Sequence, residues 1–336
     1  MTTINPALYR NAMIGLAAGD AWGYQVEFTQ YKKMPKPVPQ PSGEWVVSDD
    51  TQMTLALEKA IHALDELGWL NPEHVHGMEE VILAEFSDWA YSPLNTRAPG
   101  ATCMGSIRML NEFGRHWSLD ALSSAGCGAV MRLLPTITLD DESWRALTAL
   151  QAVITHNDPA AVASALLLGE VGRAIANGNR EPMLHALNVL DEMLNGQYGK
   201  KDKFLAKVLD PATLDVPAYI RKGVKDGKLD MAIFSGAHRI LAEHIDIFNE
   251  DICNGVGQGW DAMTATALAI MVADRYLAGD LTVQGAMEWA VTSNGDSDSI
   301  GAIAGMLIGL SSNDDDFWKK NGVDPVFEDV YAGELA

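Results

Sequence analysis

Two short segments at nearly opposite ends of the chain, Ser48-Asp49-Asp50-Thr51 and Asp296-Ser297-Asp298-Ser299, constrain the fold more than any other feature. Each places two carboxylates among hydroxyls at the start of an apolar helical pattern. Carboxylates at the mouth of a buried helix are costly unless something balances them. Taken singly, each segment reads as a helix N-cap, where Ser or Asp satisfies free N–H groups and negative charge suits the positive helix end. Taken together, they point further. A fold that brings both helix starts side by side gathers four carboxylates, which repel one another strongly. Divalent cations would neutralise them, and carboxylate and hydroxyl oxygens suit Mg²⁺ or Mn²⁺ better than Zn²⁺.

Helical periodicity dominates the rest. Met53, Leu57, Ile61, Leu64 and Leu67 fall on one helix face, and Gly68 is a stop signal. Segments 160–175, 260–277 and 299–310 read as interior helices. Shorter candidates are 81–89, 103–113, 144–154, 181–194 and 231–244. No series of alternating strands is evident. The expected class is all-α, a compact bundle of many helices around a central core. No linker divides the chain, so residues 1–336 are read as one domain. A loop-rich insertion with short helical pieces is expected around 196–230. Met34–Pro41, MPKPVPQP, reads as an extended surface loop between helices.

The chain has 336 residues, 48% of them hydrophobic, enough for a sizeable core. Its formal net charge of −21 disfavours duplex nucleic acid and anionic lipid as partners. Three widely spaced cysteines without a C-x-x-C pair argue against a disulfide framework or zinc ribbon and fit a reducing cytoplasm. MTTINPALYR lacks the pattern of a signal peptide, and the longest apolar runs, such as Met263–Ala273, read as too short to span a bilayer.

Three further motifs carry candidate chemistry. In GLAAGDAWGYQVEF (15–28), Gly15, Gly19 and Gly23 recur four apart, the mark of a close helix–helix contact. Asp20 either caps a neighbouring element or lines a cleft, and Glu27 is either merely exposed or cleft-lining. In SSAGCGAVMRLLP (123–135), the glycines form a simple turn or aim N–H groups at a phosphate. Cys127 has no histidine partner identifiable from spacing, so it is not read as a nucleophile, and Arg132 reads as a structural anchor. In Thr155–Pro159, THNDP, Asn157 or Asp158 caps the next helix and Pro159 opens it. His156 reads first as a satisfied structural histidine and second as a ligand contact.

These five motifs, in this order, resemble the ADP-ribosylglycohydrolase family over nearly the whole chain. The resemblance runs through Gly15–Glu27, Ser48–Met53, Gly126–Pro135, Thr155–Pro159, GQGWDAMTATALAI (257–270) and GDSDSIGAIAG (295–305). It implies an orthogonal helical bundle with a binuclear Mg²⁺ or Mn²⁺ centre held by Ser48, Asp49, Asp50, Asp296, Asp298 and Ser299. Glu27 and Asp296 would serve catalysis. On the substrate side it implies Asp20 as a supporting acid, Gly100 and Thr102 in the segment RAPGATC (97–103), a diphosphate loop of Gly126, Cys127, Gly128 and Ala129, and His156 at the distal part of ADP-ribose.

The chain departs from the family pattern at Ser48 and Ser299, where threonine is usual, and at Cys127, where asparagine is common. The implied reaction is hydrolysis of an N- or O-glycosidic bond at ribose C1″ of an ADP-ribosyl group on a protein or small-molecule acceptor. ADP-ribosylated nucleotides stay open as acceptors. The rival readings are a catalytically silent ADP-ribose- or nucleotide-binding relative, a crystallin-like structural relative, and a hydrolase of another small ADP-ribosylated metabolite.

Overall fold

A computed structural model describes residues 4–114, 116–241 and 250–335. Among the described residues the architecture is all-α. Its only β-type pairings are two isolated bridges, Trp45 to Phe327 and Gly126 to Asp261. The main helices, in chain order, are α1 (Pro6–Tyr24), α2 (Asp49–Glu66), α3 (Val75–Ala90), α4 (Ala101–Phe113), α5 (Trp144–Val153) and α6 (Pro159–Ala176). They continue with α7 (Pro182–Leu194), α8 (Lys203–Leu209), α9 (Val216–Asp226), α10 (Leu229–Ile240), α11 (Ala262–Ala278), α12 (Val283–Val291) and α13 (Ser297–Gly309). The expected helix at 231–244 is seen as α10, and residues 242–244 lie outside the described residues, as do residues 1–3 of the N-terminal segment.

The central contact is between the first and the last of these helices. A β-carbon on Gly15 would lie 2.3 Å from the Gly305 carbonyl oxygen, one on Gly23 2.3 Å from that of Ser297, and one on Gly309 2.2 Å from that of Asn11. Both glycine rows are needed, because each backbone fills the space where the other's side chains would stand. As residue numbers rise along α1, their partners fall along α13, so the two helices run antiparallel. The C-terminal end of α1, with Asp20 and the turn carrying Glu27, therefore meets the N-terminal end of α13, with Asp296 and Asp298.

Helix α6 is long and apolar enough, by length and composition, to cross a bilayer, unlike the shorter runs weighed from sequence. Its 18 residues are 78% buried inside the protein, the character of a core helix. Asp158 caps it by accepting from Ala160 N at 2.8 Å, and Pro159 opens it. Segment 196–230 contributes α8 and α9. The latter buries Val216, Ile220 and Val224 and seats Gly223 directly on the Pro159 carbonyl of α6. The proline-rich loop is pinned rather than free. Val38 is buried, its N–H donates to Thr292 Oγ1 at 3.1 Å, and its carbonyl accepts from Trp22 Nε1 at 3.0 Å.

Candidate metal centre

Helix α2 begins where Ser48 Oγ accepts from Asp50 N at 3.4 Å, with Asp49 and Asp50 in the first turn. Asp20 fixes this start from α1. Its carboxylate accepts from Ser48 N at 2.9 Å, from Thr51 N at 3.0 Å and from the Thr51 hydroxyl. The start of α13 is fixed by a glycine-rich strap. Asp296 N donates to the Gln258 carbonyl at 2.8 Å, and Gly295 lies so close to that oxygen that any side chain would collide with it. Gly259, at φ +79°, lets the strap turn back past Asp296. Cys127 N donates to the Trp260 carbonyl at 3.1 Å, tying the strap to the 126–128 loop.

These supports bring both acidic clusters into one cleft of about 300 Å³, lined by Glu27, Asp49, Asp50, Asp296, Asp298 and Ser299, with Gly100, Thr102, Gly126, Cys127, Gly128 and His156 around them. Glu27, Asp296 and Asp298 each offer an oxygen within 4.8 Å of the others. Asp49 Oδ2 accepts from Gly100 N at 3.0 Å, and Cys127 Sγ donates to Asp296 Oδ2 at 3.0 Å. Among the described residues, no lysine or arginine lines the cleft.

The electrostatics follow from that lack of counter-charge. Burial, then repulsion from Asp298, pushes the Glu27 carboxyl up to about 9. The same two causes raise Asp20 to about 7, against the pull of its Ser48 and Thr51 hydrogen bonds. Asp49 is raised to about 7 by burial, with Asp298 adding to it and the Gly100 N–H opposing it. Asp50 and Asp296 are driven well above the ordinary carboxylate range, again by burial and then Asp298. Burial followed by Asp296 holds the Cys127 thiol protonated, so it is a donor here. Two buried oxygens in the cleft, Glu27 Oε2 and Asp50 Oδ1, have no hydrogen-bond partner within the protein.

The expected site residues separate into those that face the cleft and those that support it. Asp20 does not face it: the side chain is fully buried and its acceptor capacity is spent on the start of α2, so it is a positioning acid rather than a substrate contact. Ala129 turns away from the cleft as well. It is fully buried, and its carbonyl accepts from Gln151 Nε2 at 2.8 Å behind the loop. Gly126, Cys127 and Gly128 line the cleft, and the turn Cys127–Ala129 carries the chain away from it at Ala129. Ser48 stays beneath the cleft, its Oγ 3.5 Å from Asp50 Oδ2. Arg97 is a strut, bonded to the Val47 carbonyl at 2.9 Å and to Glu328.

His156 lines the cleft yet is 2% exposed. Burial, then Arg132, lowers its pKa to about 3, so it is neutral. Its Nδ1 lies 2.8 Å from Thr155 Oγ1, which accepts from Arg132 Nη2 at 2.6 Å. Sequence reasoning missed Phe28 and Trp260 at the cleft mouth. Both stand inside quoted motifs, but no pattern of spacing reveals an exposed ring.

The sequence profile described as ADP-ribosylglycohydrolase matches residues 3–312. The ADP-ribosyl-[dinitrogen reductase] glycohydrolase of Rhodospirillum rubrum is 27% identical over 322 residues, covering 91% of this chain and 85% of that protein. An uncharacterised protein of Archaeoglobus fulgidus is 27% identical over 320 residues, covering 90% and 86%. Among solved structures, a chain of an "ADP-ribosylglycohydrolase-related protein complex" superimposes with a TM-score of 0.52 at 20% identity, over 90% of this chain and 87% of that one, a likeness of fold. With the profile spanning nearly its full length, this chain belongs to the ADP-ribosylglycohydrolase family.

Proposed function

We propose that this protein is a metal-dependent hydrolase that cleaves the glycosidic bond at ribose C1″ of an ADP-ribosyl group, reversing ADP-ribosylation of a protein side chain or small acceptor. The observation that carries the reading is the cleft of five carboxylates without a lysine or arginine, in which Glu27 Oε2 and Asp50 Oδ1 find no partner. Hard oxygen donors that lack a counter-charge fit Mg²⁺ or Mn²⁺. Asp49, Asp50, Asp296 and Asp298, with the hydroxyls of Ser48 and Ser299, would hold two such cations. Bound there, they would supply positive charge to the ribose hydroxyls and make a nearby water easier to deprotonate.

The chain's own residues supply the rest. Glu27 sits at the edge of the cluster with a carboxyl that holds its proton near neutrality in the absence of cations. That suits a group that orients water or hands a proton to the leaving group. Asp296 is fixed through its backbone and by the Cys127 thiol, and from there its carboxylate would help stabilise the reacting carbon. Gly126 and Gly128, which bring no side chain into the cleft, would leave room for a diphosphate beside the loop, and the neutral ring of His156 would offer a polar contact without a competing charge.

The test pairs calorimetry of Mn²⁺ and Mg²⁺ binding with ADP-ribose release from arginine-, serine- and nucleotide-linked substrates. Cation-dependent release that disappears in Asp296→Ala supports the reading. ADP-ribose binding without turnover on any substrate would instead make the protein a silent binding relative.

A further inference from the structure

Two large aromatic side chains stand in the open at the mouth of the acidic cleft. Phe28 is 75% exposed and Trp260 43%, and both line the cavity. Their ring planes differ by 16°, and their centroids lie 6.4 Å apart. One exposed ring is ordinary on a protein surface. Two near-parallel rings facing each other at the entrance of a polar cleft make a shaped, apolar surface.

Their backbones are tied to segments that carry the cleft carboxylates. Phe28 follows Glu27 directly, in the turn closed by Thr29 N donating to the Val26 carbonyl at 2.7 Å. Trp260 belongs to the strap whose Gln258 carbonyl holds Asp296 N and whose Trp260 carbonyl holds Cys127 N. The strap is bonded to Asp296 and Cys127, so the Trp260 backbone keeps its place beside the carboxylates.

From this arrangement we propose that Phe28 and Trp260 form a platform that receives a flat, π-faced leaving group: a guanidinium or a nucleobase joined to ribose C1″. The inference rests on the hydrolase reading above. In that reading C1″ sits at the carboxylate cluster, and Phe28 is one residue from Glu27. The groups within its reach are the leaving group and the adjoining ribose. Adenine is separated from C1″ by a diphosphate and a second ribose. A guanidinium lies flat over an aromatic face through the ring's quadrupole, and a nucleobase stacks on it. A hydroxyl-linked acceptor such as serine presents no flat face and gains little.

The experiment compares wild type with Phe28→Ala and Trp260→Ala on ADP-ribosyl-arginine, an ADP-ribosyl-guanine nucleotide and ADP-ribosyl-serine. Binding of free ADP-ribose is measured alongside. Expected is a fall of about tenfold in kcat/KM for at least one flat-acceptor substrate relative to the serine-linked one, unchanged ADP-ribose affinity, and recovery in Trp260→Phe. The two flat substrates distinguish guanidinium from base. Equal losses on all three substrates would place the rings against the ribose and overturn the platform. Weakened ADP-ribose binding would likewise overturn it by assigning the rings to the ADP-ribose moiety. Wild type that turns over only the serine-linked substrate overturns the platform and leaves the hydrolase reading intact. Wild type that releases ADP-ribose from none of them overturns the hydrolase reading itself. Both rings are exposed, so the variants should fold, and unchanged melting confirms that the comparison is fair.

Discussion

Gly19 and Gly301 meet backbone to backbone: a β-carbon on Gly19 would lie 2.0 Å from the Gly301 carbonyl oxygen and 2.2 Å from its carbon. Neither neighbour is a flexible side chain that could swing aside. Gly19→Ala must therefore push α1 away from α13 along their whole length. Ordinary overpacking costs about 1–3 kcal/mol, and a clash with backbone should reach or exceed the top of that range. Urea denaturation checks the stability. Cation binding should fall as well, because the same contact sets the distance between Glu27 and Asp298.

Asp298 is the charge that most raises its neighbours. After burial, it is the first cause acting on Glu27, Asp50 and Asp296. A carboxyl whose folded pKa lies above its unfolded one adds stability below the unfolded value and loses it as pH rises through the folded value. For Asp20 and Asp49 that window runs from about 4 to about 7, and for Glu27 up to about 9. The metal-free protein should melt at a lower temperature at pH 8 than at pH 5. Asp298→Asn should flatten that dependence while abolishing cation binding. Scanning calorimetry across pH, with and without EDTA, measures both.

Added Mn²⁺ or Mg²⁺ should restore what alkaline pH removes. A cation at 100 times its Kd contributes about 2.7 kcal/mol if it binds only the folded chain. A melting temperature at pH 8 that is indifferent to saturating cation would contradict the metal assignment without reference to activity.

Asp20→Asn keeps the side-chain volume but weakens the acceptor that serves Ser48 N, Thr51 N and the Thr51 hydroxyl. A stability loss of about 1–3 kcal/mol is expected from leaving such buried donors poorly matched. Cation affinity should drop about 10- to 100-fold, as for other groups that orient metal ligands without touching the ion. Calorimetric titration with Mn²⁺ separates this from Asp50→Asn, where binding itself should vanish.

Arg132 is fully buried and donates to Gln151 Oε1 at 2.9 Å, the Gln151 carbonyl at 2.8 Å and Thr155 Oγ1 at 2.6 Å, with Phe86 beneath it. Arg132→Met leaves those acceptors without a donor and should cost about 3 kcal/mol or more. Arg132→Lys should recover little, since one ammonium cannot span the fork. Denaturation curves for both variants decide this.

Much of this was legible in the sequence because local chemistry and long-range role coincide. The acids at the starts of α2 and α13 are the ones that meet in the cleft, and the four-residue spacing of the α1 glycines marks a close helix contact without naming its partner. What stayed hidden depends on direction. Gly128 and Ala129 are adjacent, yet one faces the cleft and the other the core. Asp20 sits among apolar residues whether it lines a cleft or holds a helix start. In α9, Val216, Ile220 and Val224 mark a buried face, but the surrounding lysines and glycines obscure it. The exposure of Phe28 and Trp260 leaves no periodic trace.

The antiparallel seating of α1 on α13 also sets a timetable. Contacts between residues so far apart in sequence close slowly, because the intervening chain must be ordered first. A chain still on the ribosome carries Asp49 and Asp50 early but has nothing to oppose them until Asp298 has emerged. The cleft cannot be completed before then, so a chain that stops short of α13 and its cap lacks the carboxylates of both Asp296 and Asp298.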